Sequence, residues 1–350
     1  MDKGRSVGEG MMPVFDRRML YDIIYALAAK DGRESALFGT CAPVAKEAFC
    51  RSLVGDTFPE LWFELPLAGD PWFDLHSLVS HADIAGTNVR YAGHEGRYDD
   101  ALTWFASCEE GVRQLAMSYD VSSGDIDCPA VQLLVDRRGS DVVGGFLGAV
   151  GRPEALDAWR TFCRNMPDSW YACYTGVFPG RVQRAFAPFL RMECIVNAAM
   201  RHEYVRNGPA LAGHLRDVGG FWANDTLVVQ CQQLVTSPFP FEFQFDVQED
   251  GSAGPTLGAS VRFHTADWMD AGARGSMAQL MDRVSSWGLA DDRWRLLADM
   301  VYAKRVTLDD KAVSLYCYPA FLKLRWRDGA PLDAKAYLIA GVDPVRRAKA

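Results

Sequence analysis

The chain has 350 residues, of which 49% are hydrophobic and 12% aromatic, enough apolar material for a substantial core and too much for a disordered polymer. Its formal net charge of −8 and pI near 5.3 exclude the clustered basic face of a nucleic-acid binder and attraction to an anionic membrane, so any basic site has to be local and inward. The nine cysteines are odd in number, include no Cys-x-x-Cys pair and sit largely in apolar runs such as Ala48-Phe49-Cys50, so they read as reduced core thiols of a cytoplasmic protein. No stretch approaches the ~20 apolar residues that insertion into a membrane requires.

Residues 1–15 lack an apolar signal core and read as a flexible leader. Asp16 can cap a helix to about Lys30, with Leu20, Ile23, Ile24 and Leu27 as its apolar stripe, and a second helix covers Pro43–Leu53 until Gly55 stops it. A first strand pair follows, Leu61–Leu67 with Phe73–Val79, split at Asp70-Pro71. Asp99 or Asp100 opens a helix to about Tyr119, and the connector Val121–Asp127 leads to a second pair, Val131–Val135 with Val142–Leu147, turning at Arg138-Gly139. After a helix over Pro153–Asn165, the third pair is Trp170–Val177 with Phe189–Val196. Helices near Pro209–Val218 and Thr226–Val235 precede the fourth pair, Phe241–Val247 with Leu257–Phe263, joined through Glu249–Pro255. Two more helices, Ser276–Trp287 and Asp291–Tyr302, lead to the last pair, Phe321–Trp326 with Leu332–Ile339, turning at Asp328-Gly329. No linker interrupts this rhythm, so residues 16–342 read as one domain, with a basic tail at 343–350.

Alternation decides which side chains share a face. In Phe241–Val247 the apolar residues point one way and Glu242, Gln244 and Asp246 the other; Ser260, Arg262 and His264 stand beside those carboxylates. Arg191 and Glu193 alternate with Leu190, Met192 and Cys194, while Glu60, Trp62, Glu64, Asp74 and His76 alternate with Leu61, Phe63, Leu65, Phe73 and Leu75. The last pair puts Lys323, Arg325, Asp333, Lys335 and Tyr337 on the polar face. Such a pattern suits a half-buried sheet facing water, and equally a closed barrel with a polar interior. The five-fold recurrence favours the second: an α+β chain whose ten antiparallel strands form a β-barrel of five αββα-like repeats, helices outside and a polar lumen inside.

Lys335-Ala-Tyr337 and Lys323-Leu-Arg325, set in that architecture over roughly residues 40–340, resemble the ABBA-type, or PT-barrel, prenyltransferases. The resemblance implies that Arg191, Arg262, Lys323, Arg325 and Lys335 bind the diphosphate of an allylic isoprenoid donor. It also implies that Tyr337, Tyr171 and Trp62 shield the allylic cation, and that Glu64 or Glu60 positions or deprotonates an aromatic or peptide acceptor. Guanidinium forks and ammonium groups stabilise a leaving diphosphate, and aromatic faces contribute ~1–2 kcal/mol of cation–π attraction. The polar face departs from the family in its acidity, with Glu193, Glu242 and Asp246 added to the first-pair carboxylates. That leaves open Mg²⁺ bridging, a basic acceptor such as a peptide Arg or His, and a non-catalytic barrel that binds a small apolar ligand or a peptide. His76 and His264 are further candidate bases. Nucleotide, zinc, serine-hydrolase and terpene-cyclase signatures are absent: there is no Gly-x-Gly-x-x-Gly after a strand, no Walker loop, no His-Glu-x-x-His and no Gly-x-Ser-x-Gly.

Overall fold

Hairpins dominate because each strand pair is short, alternating and bounded by turn residues, and five hairpins laid edge to edge can close on themselves. The computed structural model describes residues 17–52, 60–81, 97–108, 112–135, 142–181, 188–308 and 311–344. Its strands are β1 (Glu60–Pro66), β2 (Asp74–Val79), β3 (Val112–Asp120), β4 (Asp125–Val135), β5 (Trp170–Val177), β6 (Leu190–Val196), β7 (Phe241–Val247), β8 (Ala253–Arg262), β9 (Tyr302–Leu308), β10 (Lys311–Arg327) and β11 (Ala330–Pro344). They run in the order β11-β1-β2-β3-β4-β5-β6-β7-β8-β10-β9, and β10 also pairs with β11. Ten of them therefore form a closed antiparallel barrel, while β9 pairs with the first part of β10, Lys311–Cys317, outside the ring. The seam joins the ends of the chain, with Leu61 opposite Ala340, Glu64 opposite Tyr337 and Pro66 opposite Lys335.

The apolar faces point outward and are covered by helices. Phe241, Phe243, Phe245 and Val247 are fully buried there, as are Leu257, Ala259 and Val261 of the neighbouring strand. Helix Ala155–Asn165 lays Ala158, Trp159 and Phe162 on this wall, with the Phe162 ring 5.2 Å from that of Phe245. The helices start where side chains satisfy free N–H groups: Asn197, Asn207, Asn224 and Asp270 each accept a backbone N–H three residues on. One contiguous apolar cluster runs around the barrel between wall and helices, and a second, small cluster of Ala320, Phe321, Tyr337 and Ile339 lies inside.

The second hairpin differs from the sequence expectation. Val142–Leu147 is not a strand but part of helix Val143–Ala149, because Val143, Phe146 and Leu147 recur at helical spacing and all three are buried. Gly145 is needed there, since a Cβ would stand 2.5 Å from Trp104 Nε1. The partner of β4 is β3, over residues expected as the end of a helix: that helix stops at Ser107, and Leu115, Met117 and Tyr119 then alternate with Ala116 and Ser118 as a strand. Likewise the stretch from Asp292 is a 3₁₀ helix only to Met300, and Tyr302 opens β9. Residues 1–15, Asp16, Gly55, the turn at 138–139 and the end of the tail from 345 lie outside the described residues. None of the nine cysteines forms a disulfide, and no described helix is long and apolar enough to cross a membrane.

The outer face should carry the stability. Phe63, fully buried with the rings of Phe38 and Phe73 at 5.7 and 5.5 Å, is expected to cost about 3–5 kcal/mol on replacement by Ala, measured by urea unfolding. Leu332→Ala, at a position 40% exposed, should stay within about 0.5 kcal/mol of the parent in the same assay.

Candidate functional site in the barrel lumen

The inward residues leave a cavity of about 250 Å³ that is lined by residues of all ten barrel strands. Its lining divides into two zones. One is aromatic: Trp62 lies 5.0 Å from Phe321 and 6.4 Å from Tyr337, and Phe321 and Tyr337 are 6.2 Å apart, ring centre to ring centre. The other is ionic and follows from register. Lys323 of β10 stands directly opposite Lys335 of β11 and opposite Ser260 of β8; Arg325 and Arg262 occupy the next inward positions on β10 and β8. Cross-strand neighbours of this kind are ~5 Å apart and diagonal ones ~7–8 Å at Cβ, so three further basic side chains crowd around Lys323. The zones touch: the Lys323 ammonium is 4.9 Å from the Tyr337 ring centre and the Arg262 guanidinium 4.8 Å from that of Phe321.

Like charges that close are tolerated because each base meets a carboxylate. Arg191 donates to Asp246 at 2.7 Å, Arg262 to Glu242 at 2.7 Å and Lys323 to Glu193 at 2.8 Å. Arg325 forks onto both oxygens of Asp333, and Lys335 donates to Glu64. Gln244 ties the row together by donating to Glu193 at 2.6 Å. Arg262 Nε–H, also buried, has no acceptor.

Two glutamates on the inward face of the barrel are shifted in opposite directions in proton affinity. Burial would raise Glu64, but the Lys335 ammonium and the hydrogen bond from His76 outweigh it and hold the carboxyl well below its ordinary range. Glu242 is 3% exposed; burial dominates there, the Glu193 charge adds to it, and Arg262 only partly opposes, so its carboxyl is pushed up to about 7. Asp74, opposite Glu64 on β2, is also raised, by burial and then by the Glu64 charge, although Ser122 donates to it through N–H and O–H at 3.1 and 2.9 Å.

Of the residues singled out in the sequence, Trp62, Glu64, Arg191, Arg262, Lys323, Arg325, Lys335 and Tyr337 line one cavity, and so do Asp74, His76 and His264. Glu60 and Tyr171 are not among its lining residues. Glu60 instead accepts from Trp62 Nε1 at 2.6 Å and Tyr316 OH at 3.1 Å, which fixes the indole rather than presenting a free carboxylate. Tyr174 takes a place in the wall because a bulge between Ala172 and Tyr174 shifts the alternation, sending Thr175 outward to Trp159. Ser118 and Gln132 also line the cavity; the alternation of Leu115, Met117 and Tyr119 is the signal that marks β3 and so places Ser118 inward. Among the described residues no three His, Cys, Asp or Glu side chains gather as a metal centre.

Set beside known proteins, the chain finds no counterpart by sequence: no family model matches it, and no curated protein does.

Glu242 makes a pH test. The folded state keeps its proton over a range in which the unfolded chain, at the ordinary 4.5, has released it, so the residue's contribution to stability falls as pH rises from about 4.5 to about 7 and is flat above. Glu242→Gln should remove this slope, gaining on the parent by up to about 3 kcal/mol between pH 4.5 and pH 8 in denaturant unfolding. An equal difference at both pH values would show that folding leaves the proton affinity of Glu242 unchanged.

Proposed function

We propose that the lumen transfers a prenyl group from an allylic isoprenoid diphosphate to an electron-rich acceptor, an aromatic small molecule or a peptide side chain. The observation that carries this reading is the abutment of Lys323, Lys335, Arg325 and Arg262 on the aromatic wall of Trp62, Phe321 and Tyr337. A diphosphate needs several cationic donors at one point, and an allylic cation needs π faces and no water; the two zones supply these side by side. Bases already held by carboxylates still have donors to offer, since an ammonium has three N–H groups and a guanidinium five. Lys323 spends one on Glu193, and Arg262 has an Nε–H with no acceptor. Arg191, on β6, adds a further cation at the cavity wall, and Mg²⁺ would enter, if needed, with the diphosphate.

The chemistry assigns roles in order. Cleavage of the donor C–O bond leaves its electron pair on the diphosphate, where Lys323, Arg262, Arg325 and Lys335 neutralise the growing charge. Trp62, Phe321 and Tyr337 face the cation and keep it from solvent. The acceptor's π electrons then form the new bond. Glu64, ionised and fixed by Lys335 and His76, is suited to orienting an acceptor or stabilising positive charge more than to taking a proton itself.

One observation favours a second reading. The matching of five lumen bases by carboxylates suits a barrel that holds an apolar ligand or a peptide without chemistry. Calorimetry with an unreactive thio-analogue of dimethylallyl or geranyl diphosphate, with and without Mg²⁺, separates the two. Prenyl transfer requires micromolar binding that weakens tenfold or more, on the order of 1.4 kcal/mol, in both Lys323→Ala and Lys335→Ala. Absence of heat under either condition would leave the binding barrel as the better account.

A further inference from the structure

Three lumen residues on adjacent strands stand in one hydrogen-bonded row. His76 of β2 faces Ser118 of β3 directly across the ladder. Its Nε2 lies 3.0 Å from Glu64 Oε2 and its Nδ1 2.5 Å from Ser118 Oγ, and all three side chains line the cavity. The protonation pattern of the row follows from its carboxylate end. Ionised Glu64 only accepts, so the hydrogen sits on His76 Nε2; Nδ1 of the neutral ring is then an acceptor, and Ser118 donates to it. A carboxylate that orients an imidazole, which in turn takes the proton of a serine hydroxyl, is the logic of an activated hydroxyl.

We propose that Ser118 and His76 are the proton-accepting pair of the lumen, with Glu64 as the anion that orients and stabilises His76. This rests on the prenyl-transfer reading. Glu64 serves poorly as the acceptor itself, because Lys335, His76 and Tyr337 already donate to it. Among the described residues Ser118 Oγ bonds only to His76, and this end adjoins the aromatic wall, the Tyr337 ring centre being 5.7 Å from that of His76. The charged and titratable groups facing His76 are Glu64 from β1, Tyr337 and Lys335 from β11, and Asp74 from its own strand; β3 contributes the neutral Ser118.

The acceptor's π pair forms a bond to the allylic carbon while the donor C–O pair leaves with the diphosphate. The proton at the substituted acceptor atom passes to Ser118 Oγ as the Ser118 proton passes to His76 Nδ1, and the electron pair of the broken bond returns to the acceptor ring. The imidazolium so formed faces Glu64, and the diphosphate keeps its full negative charge against Lys323 and its neighbours.

Two measurements on the full-length protein test this. ¹⁵N NMR of His76, assigned by its loss in His76→Gln, should show a neutral ring with hydrogen on Nε2 at pH 7.5 and an Nδ1 shift that moves in Ser118→Ala. A doubly protonated ring or the Nδ1–H tautomer at that pH would overturn the proposal whatever the protein transfers. With dimethylallyl diphosphate and indole as probes, Ser118→Ala and His76→Gln should each lower transfer by about a hundredfold or more. Binding of the thio-analogue should change by less than threefold, and indole deuterated at the reacting carbon should show an isotope effect larger in the variants than in the parent. Parental transfer rates in both variants would overturn the proposal. Failure of the parent to bind the analogue at all would instead remove the prenyl reading, a result the NMR experiment does not depend on.

Discussion

Everything in this molecule depends on the ladder that pairs β1 with β11. It joins residues more than 270 positions apart, Leu61 with Ala340 and Glu64 with Tyr337, and it turns a meander of hairpins into a ring without edges. Closure also makes an interior. Side chains that would face water in an open sheet face each other instead, and charges placed there have to find partners, because an unpaired buried charge costs several kcal/mol. The seam supplies one such pair itself by bringing Lys335 to Glu64.

Seen from that constraint, the acidity of the inward face is a consequence of its basicity. Asp246, Glu242, Glu193, Asp333 and Glu64 are the counterions of Arg191, Arg262, Lys323, Arg325 and Lys335 in the absence of other anions. The balance is not uniform. Glu64 is surrounded by donors and stays charged, whereas Glu242, buried and close to Glu193, holds its proton to about 7. Two glutamates on one surface are thus driven apart in proton affinity by their neighbours alone. The stability to sustain this comes from the other face, where rings such as Phe63, Phe243 and Phe245 are sealed under helices and contribute on the order of 2 kcal/mol each.

Separation of the aromatic and ionic zones gives the lumen a direction. An amphiphilic molecule would lie with its apolar part on Trp62, Phe321 and Tyr337 and its anionic part on the Lys323 cluster. Hydrogen bonds fix parts of this wall: Glu60 and Tyr316 hold the region of the Trp62 indole, and the Glu64–His76–Ser118 row spans three adjacent strands.

Much of this was legible in the chain. Period-2 runs such as Phe241–Val247 and Phe321–Trp326 determined by themselves which side chains face inward, because a strand's two faces alternate whatever it pairs with. Four of the five hairpins follow from that alone, and so does the inward position of the eight singled-out residues that line the cavity. Where local periods were ambiguous the reading failed: Val143, Phe146 and Leu147 fit a helix as well as a strand, and Leu115–Tyr119 was absorbed into the preceding helix. The bulge that turns Tyr174 inward, the recruitment of Glu60 to hold Trp62, and the choice of partner for each lumen base were decided only by the tertiary structure. Alternation is a property of one strand, but register, closure and ion pairing arise between strands distant in sequence, and their energies exist only once the barrel has closed.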